Sequence, residues 1–339
     1  MFAIQGAHCT FGCCPGHCPQ QTGPLTVITT NELRLGGKAA MSRVLADLEA
    51  YLARQGHVGV YGPLLDECWS QGRGLVVGFT GPPGVGKSTL TGKLLKLWRE
   101  DGLKVAVVAV DPSSRHSGGA LLGDRMRMRT DPDDAHSFVR SLAARDHLGG
   151  LSEFAIYALV LLRACFDRVL VETVGVGQSE TEVADFVDSV VFLAQPGSGD
   201  ALQYMKAGIM EVPHICAVTK SDMGMVAERT LSDLKGSLSL AISQDDWPMS
   251  LHLVSASTGK GMEDLKQAID QHGQHVQQQQ KHRDDMARNM VKGKLLAAFG
   301  REGFAHVAHR LDQRLNNPFQ MLDQLTMELR QCLSSHQVS

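Results

Sequence analysis

One eight-residue segment, lying between an apolar run and a helical pattern, constrains the fold of this chain more than any other feature. Its sequence is Gly-Pro-Pro-Gly-Val-Gly-Lys-Ser at 81–88, and it follows the apolar run Leu75–Phe79 directly. Glycines at this spacing let backbone amides turn inward around phosphate oxygens, and the start of a helix behind them adds positive potential. The segment therefore predicts a phosphate-binding loop (P-loop), rather than a turn that merely connects a strand to a helix.

The P-loop prediction gives each residue type a role. We expect Lys87 to reach the β and γ phosphates of a nucleotide and Ser88 to ligate Mg²⁺. The predicted nucleotide-binding residues of this segment are Gly81, Pro82, Pro83, Gly84, Val85, Gly86, Lys87, Ser88 and Thr89.

Short apolar runs recur between residues 75 and 254, with spacers of helical length between them. Runs that are apolar on both faces are typical of parallel strands covered by helices on each side. The pattern predicts a three-layer α/β fold with a mostly parallel sheet. The six runs are Leu75–Phe79, Val105–Val110, Arg168–Glu172, Ser189–Ala194, His214–Thr219 and Leu251–Val254.

Helical patterns flank this region on both sides. Upstream, apolar residues at helical spacing over Lys38–Arg54 predict a helix, which the Gly/Pro-containing segment Gly56–Pro63 interrupts. Downstream we expect two amphipathic helices, the second with an apolar stripe that includes Leu322, Leu325 and Leu329. Such stripes must be buried, either against the main domain or against a second copy of the chain.

These patterns divide the chain into four parts. Residues 1–30 form a Cys-rich tail that we expect to be disordered, and residues 31–70 form an N-terminal helical segment. Residues 71–270 form the P-loop domain, and residues 271–339 form a C-terminal helical segment that we assign to dimerisation.

Composition excludes several classes of partner. A formal net charge of -3 gives no electrostatic footprint for nucleic acid or for an anionic membrane. No apolar run reaches the ~18 residues that are needed to cross a bilayer. The first 33 residues contain no Lys or Arg, which argues against a secretory or mitochondrial leader. We therefore expect a soluble, cytoplasmic protein.

Three carboxylates at or near predicted strand ends are candidates for a Mg²⁺ site. Asp111 ends the second run, Asp124 follows Ser-Gly-Gly-Ala-Leu-Leu-Gly, and Glu172 ends the third run. Mg²⁺ prefers a few carboxylates together with water and phosphate oxygens. Glu172 stands where a Walker-B acid belongs, and Gly175 is suited to contact the γ-phosphate through its backbone amide. A helix cap for Asp111 and an ordinary loop carboxylate for Asp124 remain alternatives.

Two short segments after the last two predicted strands form a candidate base pocket. They are Thr219-Lys220-Ser221-Asp222 and Ser255-Ala256. The carboxylate of Asp222 can accept two hydrogen bonds from guanine, whereas adenine has no matching pair of donors. The stem of Lys220 can pack over the ring. The pocket predicts GTP and GDP as ligands, and Thr219, where Asn is usual, predicts weaker affinity with the same choice of base.

These motifs resemble those of the MeaB/MMAA (ArgK) family of P-loop GTPases. The resemblance spans about Gly36 to Leu265, and its most specific string is Val-Glu-Thr-Val-Gly-Val-Gly-Gln-Ser-Glu at 171–180. It implies a P-loop NTPase fold of the SIMIBI type with N- and C-terminal helical extensions. It also implies a homodimeric GTPase that gates adenosylcobalamin delivery to methylmalonyl-CoA mutase, or to a related acyl-CoA mutase, and that protects this enzyme.

The resemblance further implies roles for single residues. Lys87 and Ser88 correspond to phosphate and Mg²⁺ ligands, whereas the three carboxylates belong to the metal and switch region. Lys206 is similar to a switch lysine that responds to the partner. The implied catalytic residues are Lys87, Asp111, Glu172 and Lys206, and the implied metal ligands are Ser88, Asp111, Asp124 and Glu172.

A third switch is implied for the segment Pro196–Ile209. Here the chain departs from the family pattern, because Ala201 and Tyr204 stand where Glu and Gly are usual. Coupling to a partner is therefore less firmly implied than hydrolysis.

The N-terminal Cys/His cluster lies outside the resemblance and supports an alternative function. Cys9, Cys13 and Cys18 together with a histidine could form a tetrahedral zinc set, although their spacing is not that of a standard zinc ribbon. The alternative is a metal-insertion GTPase of the nickel type that loads its metal at this cluster. A P-loop kinase would reuse the same loop but needs a second substrate pocket and a general base, for which the sequence contains no separate motif.

Overall fold

A seven-stranded parallel sheet forms the centre of the computed structural model, which describes residues 28–112, 131, 133–144, 153–173, 184–197, 213–238 and 247–336. Helices cover both faces of the sheet. The predicted three-layer α/β fold is therefore confirmed.

The strand order places the P-loop strand near the middle of the sheet. All pairings are parallel, and the order is β3-β2-β4-β1-β5-β6-β7. Because the strands run in one direction, their carboxyl ends meet at one edge, where open α/β sheets bind ligands. The strands are β1 (Leu75–Thr80), β2 (Val105–Pro112), β3 (Ser137–Ala144), β4 (Arg168–Thr173), β5 (Ser189–Ala194), β6 (Ile215–Val218) and β7 (Ser250–Leu253).

The sequence predicted six strands and missed the seventh, β3. This strand pairs with β2 along its whole length, from Val105 with Ser137 to Pro112 with Ala144. It lies at the edge of the sheet, and Arg140 is partly exposed. An edge strand is not covered on all sides, so polar residues interrupt the continuous apolar run that identifies a central parallel strand.

The helical patterns correspond to real helices, and the structure adds short ones between them. The predicted helix over 38–54 is α2, which ends at Gln55 and is followed by Gly56 in the left-handed conformation. The Gly/Pro segment after it is only a brief interruption, because α3 begins at Gly62 with Pro63 in its first turn, where proline is tolerated. The helices are α1 (Thr30–Leu35), α2 (Gly37–Gln55), α3 (Gly62–Gln71), α4 (Lys87–Glu100), α5 (Glu153–Cys165), α6 (Met225–Leu238), α7 (Met262–Gln278), α8 (Gln280–Val307) and α9 (Pro318–His336).

Alternate side chains of the central strands form two apolar layers. Val77 and Phe79 of β1 pack with residues of α4 and α7 on one face. Val76 lies on the opposite face, in a larger cluster that includes residues of α2, α3, α5, α8 and α9. The two layers hold β1, and with it the start of the P-loop, in a fixed position.

The C-terminal apolar stripe is buried inside the chain. Phe319, Leu325 and Leu329 of α9 are almost fully buried in the larger cluster. The sequence left two alternatives open for this stripe, burial against the main domain or against a second copy of the chain. In the structure the stripe packs against the main domain. The helix α7 also runs through residue 270, so the terminal helices share a core with the P-loop domain.

In the part of the chain that the structure describes, no helix is both long and apolar enough to cross a membrane. The cytoplasmic location and the four-part division of the chain stay predictions. The Cys-rich tail over residues 1–27 lies outside the described residues.

Candidate nucleotide-binding site

The P-loop forms the turn between β1 and α4. Gly81, Gly84 and Gly86 have φ angles of 142°, 76° and 102°, a region that other residues rarely adopt. Gly81 also passes so close to the carbonyl oxygen of Leu193 in β5 that a Cβ atom would collide with it. Glycine at position 81 is therefore required both by backbone conformation and by space.

Val85 and Lys87 fix the P-loop in place. Val85 is fully buried in the apolar layer that contains α4, whereas Pro83 and Thr89 are exposed. The buried Lys87 ammonium donates to the carbonyl oxygens of Gly81 (2.7 Å) and Pro82 (3.2 Å). Since α4 begins at Lys87, its first backbone amides and this ammonium converge at the loop.

Ser88 and Glu172 meet beside the P-loop. The Ser88 hydroxyl donates to Glu172 Oε1 at 2.5 Å, and both side chains are buried. The pairing of β4 with β1 brings Glu172 opposite Phe79, one residue before the end of β1. Hydroxyl and carboxylate oxygens are hard donors of the kind that Mg²⁺ prefers.

This donor set fits Mg²⁺ bound with the help of phosphate and water oxygens. Among the described residues, no group of three or more His, Cys, Asp and Glu side chains could hold a metal by itself. Mg²⁺ at nucleotide sites is commonly bound by one or two protein carboxylates plus substrate phosphates, so a complete protein cage is not needed.

The other predicted metal and switch residues are only partly visible. The backbone of Asp111 lies at the carboxyl end of β2, one residue beyond the pair of Val110 with Thr173 in β4. It is thus on the strand next to Glu172, but its side chain is outside the described residues. The remaining predicted residues, Asp124, Gly175, Ala201, Tyr204 and Lys206, also lie outside them.

The base-reading segment after β6 contacts the P-loop directly. The Thr219 hydroxyl donates to the carbonyl oxygen of Val85 at 2.8 Å, and Lys220 Nζ donates to that of Gly84 at 3.0 Å. Lys220 is the one non-glycine residue in the described ranges with positive φ, at 51°. Two hydrogen bonds therefore fix this segment to the loop that is predicted to bind phosphate.

Ser255 orients the carboxylate of Asp222. The buried Ser255 hydroxyl donates to Asp222 Oδ1 at 2.6 Å, and the hydroxyl of Ser257 lies 3.5 Å from the same oxygen. The hydrogen bond from Ser255 is the main cause that lowers the pKa of the exposed Asp222 carboxyl. Asp222 is thus ionised at neutral pH, the state in which it can accept two hydrogen bonds from guanine. Ala256, which follows Ser255 in the chain, is partly buried.

Sequence reasoning missed two polar residues of this site. Gln195 Oε1 accepts a hydrogen bond from Lys220 Nζ at 3.2 Å, and Ser257 lies beside Asp222. Gln195 directly follows β5. Its position at the carboxyl end of a predicted strand could have identified it as a candidate site residue. No comparable signal marks Ser257, which follows Ser255 in an ordinary turn.

The chain is similar to several known proteins. A family model described as Methylmalonyl Co-A mutase-associated GTPase MeaB matches residues 42–301, a range that contains every site residue above. GTPase ArgK of Escherichia coli is 38% identical over 242 residues, which are 70% of this chain and 72% of the relative.

Two further relatives extend the comparison. A Mus musculus protein named methylmalonic aciduria type A homolog, mitochondrial, is 40% identical over 205 residues, which are 59% of this chain and 49% of that protein. The crystal structure of LAO/AO transport system kinase is similar with a TM-score of 0.60 and 27% identity, over 88% of this chain and 96% of that one. The similarity therefore extends from the sequence to the fold.

Proposed function

Because the chain belongs to the MeaB family of methylmalonyl-CoA mutase-associated GTPases, we propose that it is a chaperone that couples GTP hydrolysis to adenosylcobalamin delivery. Its client in this proposal is methylmalonyl-CoA mutase or a related acyl-CoA mutase, which it also protects. Family membership makes the chain a P-loop GTPase that converts GTP to GDP and phosphate. The identity of the client enzyme and the delivery of adenosylcobalamin are the parts of this function that we propose.

One observation carries the nucleotide part of the proposal. Thr219 and Lys220 donate hydrogen bonds to P-loop carbonyls, and Asp222, two residues further on, is held by Ser255. The residues for the phosphates and those for the base are thus parts of one connected unit. A single GTP molecule can therefore contact both.

In the proposed mechanism, the P-loop amides and Lys87 bind the β and γ phosphates and stabilise charge that develops on the γ-phosphoryl group. Ser88 and Glu172 would hold Mg²⁺, with Asp111 and Asp124 as further ligands. When bound, Mg²⁺ neutralises negative charge on the phosphates. Asp222 selects guanine by accepting hydrogen bonds from its ring N–H and exocyclic amine.

The link to the client is assigned to the switch segments. In this proposal the Gly175 amide contacts the γ-phosphate, and loss of that phosphate releases the loops at Asp111–Asp124 and Gly175–Glu182. Lys206 then responds to the partner. The surface presented to the mutase would differ between the GTP and GDP states.

The decisive experiment measures binding to purified methylmalonyl-CoA mutase by biolayer interferometry, with either a non-hydrolysable GTP analogue or GDP present. We expect the affinities in the two states to differ. A Lys87→Ala variant is the control, because it should lose the difference between nucleotides. Equal and negligible binding in both states would contradict the choice of client while leaving the GTPase assignment intact.

Hydrolysis and assembly have separate tests. Release of phosphate from GTP without any added acceptor, lost in Lys87→Ala, is expected for a GTPase, whereas a kinase would require an acceptor. The proposed homodimer should have twice the chain mass of 36.7 kDa in light scattering. Since the apolar stripe of α9 is buried within the chain, a dimer must use another surface.

A further inference from the structure

A second polar cavity lies at the amino-terminal edge of the sheet, opposite the P-loop edge. Its walls are residues that precede β1 and β5, the end of α7, the start of α8 and the segment before α9. Its volume is about 430 Å³, within the ~300–1,000 Å³ that is typical of small-molecule pockets. We call it the basal cavity, and its charged lining includes Arg73, Arg163, Asp188, Arg283, Asp284 and Arg314.

The basal cavity carries an excess of positive charge. Four arginines line it against two aspartates. Fully buried Asp188 balances Arg163, whose Nη1 lies 3.0 Å from Asp188 Oδ1. Arg314 Nε lies 3.6 Å from Asp284 Oδ1, so these two charges also form a pair. Arg73 and Arg283 form no ion pair with any residue that the structure describes, so their two charges account for the excess.

Arg283 is held in place by uncharged groups. Its guanidinium lies 5.0 Å from the ring centroid of Trp69 and donates to the carbonyl oxygens of Gly72 and Trp69. Burial lowers the pKa of Arg283 to about 10, and repulsion from Arg163 and Arg73 adds to this effect. Arg283 still carries its charge at neutral pH, in surroundings that lack a compensating anion at contact distance.

Arg163 supplies an independent observation. Its side chain is only 7% exposed, and its Nε is buried without a hydrogen-bond partner among the described residues. Buried donors are paired in nearly all cases. Because Arg163 lines the basal cavity, a ligand oxygen within hydrogen-bond distance of Nε would satisfy this donor.

The helix α8 reinforces the same preference for an anion. His282 and Arg283 lie in its first turn and line the cavity. Its N-cap residue Gln279 makes no side-chain capping hydrogen bond. The helix dipole therefore adds positive potential on this side of the cavity.

From these features we infer that the basal cavity is a second anion site, which binds the phosphate group of a small soluble molecule. Arginines match phosphate oxygens with paired N–H donors, so Arg283 and Arg314 are the residues expected to contact it. Trp69 and Leu315 add apolar surface for an organic part of the ligand. The site is separate from the nucleotide site, because the two lie at opposite edges of the sheet.

Calorimetric titration with inorganic phosphate tests this proposal. The titration is carried out with Mg²⁺ and a non-hydrolysable GTP analogue in excess, so that added phosphate cannot enter the P-loop. The proteins compared are the wild type, Arg283→Gln, Arg314→Gln and the control Arg310→Gln. Arg310 is also an exposed arginine, but it pairs with Glu328 and does not line the cavity.

We expect one phosphate per chain in the wild type and in Arg310→Gln. Loss of one charged hydrogen-bond donor should weaken binding about tenfold in Arg283→Gln and severalfold in Arg314→Gln. Arg314 is 60% exposed, so its variant should fold even if Arg283→Gln does not. No binding to the wild type, or equal affinity in Arg314→Gln and Arg310→Gln, would overturn the proposal.

A second arm distinguishes the source of the phosphate. The same four proteins are sedimented with vesicles of neutral lipid that contain phosphatidic acid. We expect no co-sedimentation beyond that with neutral vesicles. Co-sedimentation that is lost in Arg283→Gln and Arg314→Gln would assign the cavity to a lipid headgroup and overturn the choice of a soluble ligand.

Discussion

Among single residues, Ser255 and Asp222 show how one hydroxyl prepares a carboxylate for a ligand. The side chains are separated by 33 positions, yet the hydroxyl lies 2.6 Å from Asp222 Oδ1. This bond both directs the carboxylate and lowers its pKa. Since Asp222 is exposed, the choice of base depends on this alignment and not on burial of the charge.

The first prediction concerns Asp222→Asn. The asparagine amide offers an N–H donor where guanine also has donors, so one charged hydrogen bond is lost and some repulsion is added. GTP affinity should therefore fall about 10- to 100-fold. Xanthosine triphosphate, which has a carbonyl in place of the exocyclic amine, should bind the variant better than the wild type. Fluorescence titration of both nucleotides measures this. The exposed residue Asp233 on α6 provides the control Asp233→Asn. Unchanged GTP affinity in Asp222→Asn would contradict the assignment of Asp222 to guanine binding.

The second prediction concerns Ser88→Ala. Removal of the hydroxyl takes one oxygen from the predicted Mg²⁺ site and leaves Glu172 without its 2.5 Å hydrogen bond. GTP hydrolysis should fall by about 100-fold or more, in line with the loss of one group that stabilises the transition state. The Mg²⁺ concentration for half-maximal activity should rise. Phosphate release at varied Mg²⁺ tests both effects, with the exposed Ser70→Ala as control; an unchanged Mg²⁺ requirement would contradict the role.

Among the secondary-structure elements, α9 shows how a terminal helix is joined to the core. Asp66 of α3 accepts hydrogen bonds from the backbone N–H groups of Phe319 (2.9 Å) and Gln320 (3.1 Å). A carboxylate from a distant helix thus caps the first turn of α9, whose own start has no intrahelical partners for these groups. Burial raises the pKa of Asp66 to about 6, more than these two bonds lower it.

The third prediction follows from this cap. Asp66→Ala leaves two backbone donors of α9 without their acceptor, which should lower the free energy of unfolding by about 1–2 kcal/mol. Urea unfolding followed by circular dichroism measures the change. The exposed residue Asp312 lies just before α9 but does not cap it, so Asp312→Ala should have little effect. Equal stability of both variants and the wild type would show that the cap does not stabilise α9.

For the molecule as a whole, a histidine cluster beneath β5 links stability to pH. His272 of α7 is 1% exposed, its Nδ1 lies 2.6 Å from the Ser189 hydroxyl, and its ring centroid lies 4.1 Å from that of His214. Burial lowers the pKa of His272 to about 3, and repulsion from His214, His275 and His282 adds to it. The folded chain therefore keeps His272 neutral where the unfolded chain protonates it.

The sign of the pH effect follows from these two states. Below the unfolded pKa of about 6.5, the unfolded chain binds a proton that the folded chain does not, so stability falls as the pH decreases. Asp66 acts in the opposite direction, because its folded pKa of about 6 lies above the ordinary aspartate value of 3.8. Comparison with a His272 variant cancels the contribution of Asp66, since both proteins contain it.

The fourth prediction uses that comparison. Between about pH 7.5 and about pH 5, the free energy of unfolding of the wild type should fall by about 2 kcal/mol relative to His272→Gln, from about 1.5 pH units at 1.36 kcal/mol each. Urea unfolding of both proteins at several pH values measures the difference. A difference that does not change with pH would contradict a neutral, buried His272.

Local patterns in the sequence determined much of this protein. The P-loop at 81–88, six of the seven strands, the helix α2 and the last two helices follow from spacing that acts over a few residues. Glycine at 81, 84 and 86 is a requirement of backbone conformation, and such requirements are visible in the residues themselves. The family resemblance, confirmed by the matching family model, rests on the same strings.

Only the tertiary structure decided which of these local parts meet. The contacts of Thr219 with Val85, Ser88 with Glu172 and Asp66 with Phe319 join residues that are 134, 84 and 253 positions apart. They depend on the order of strands across the sheet and on the return of α9 to the core, which no short segment encodes. Charge at the basal cavity arises in the same way, because its arginines are scattered along the chain and converge only when the strands have paired.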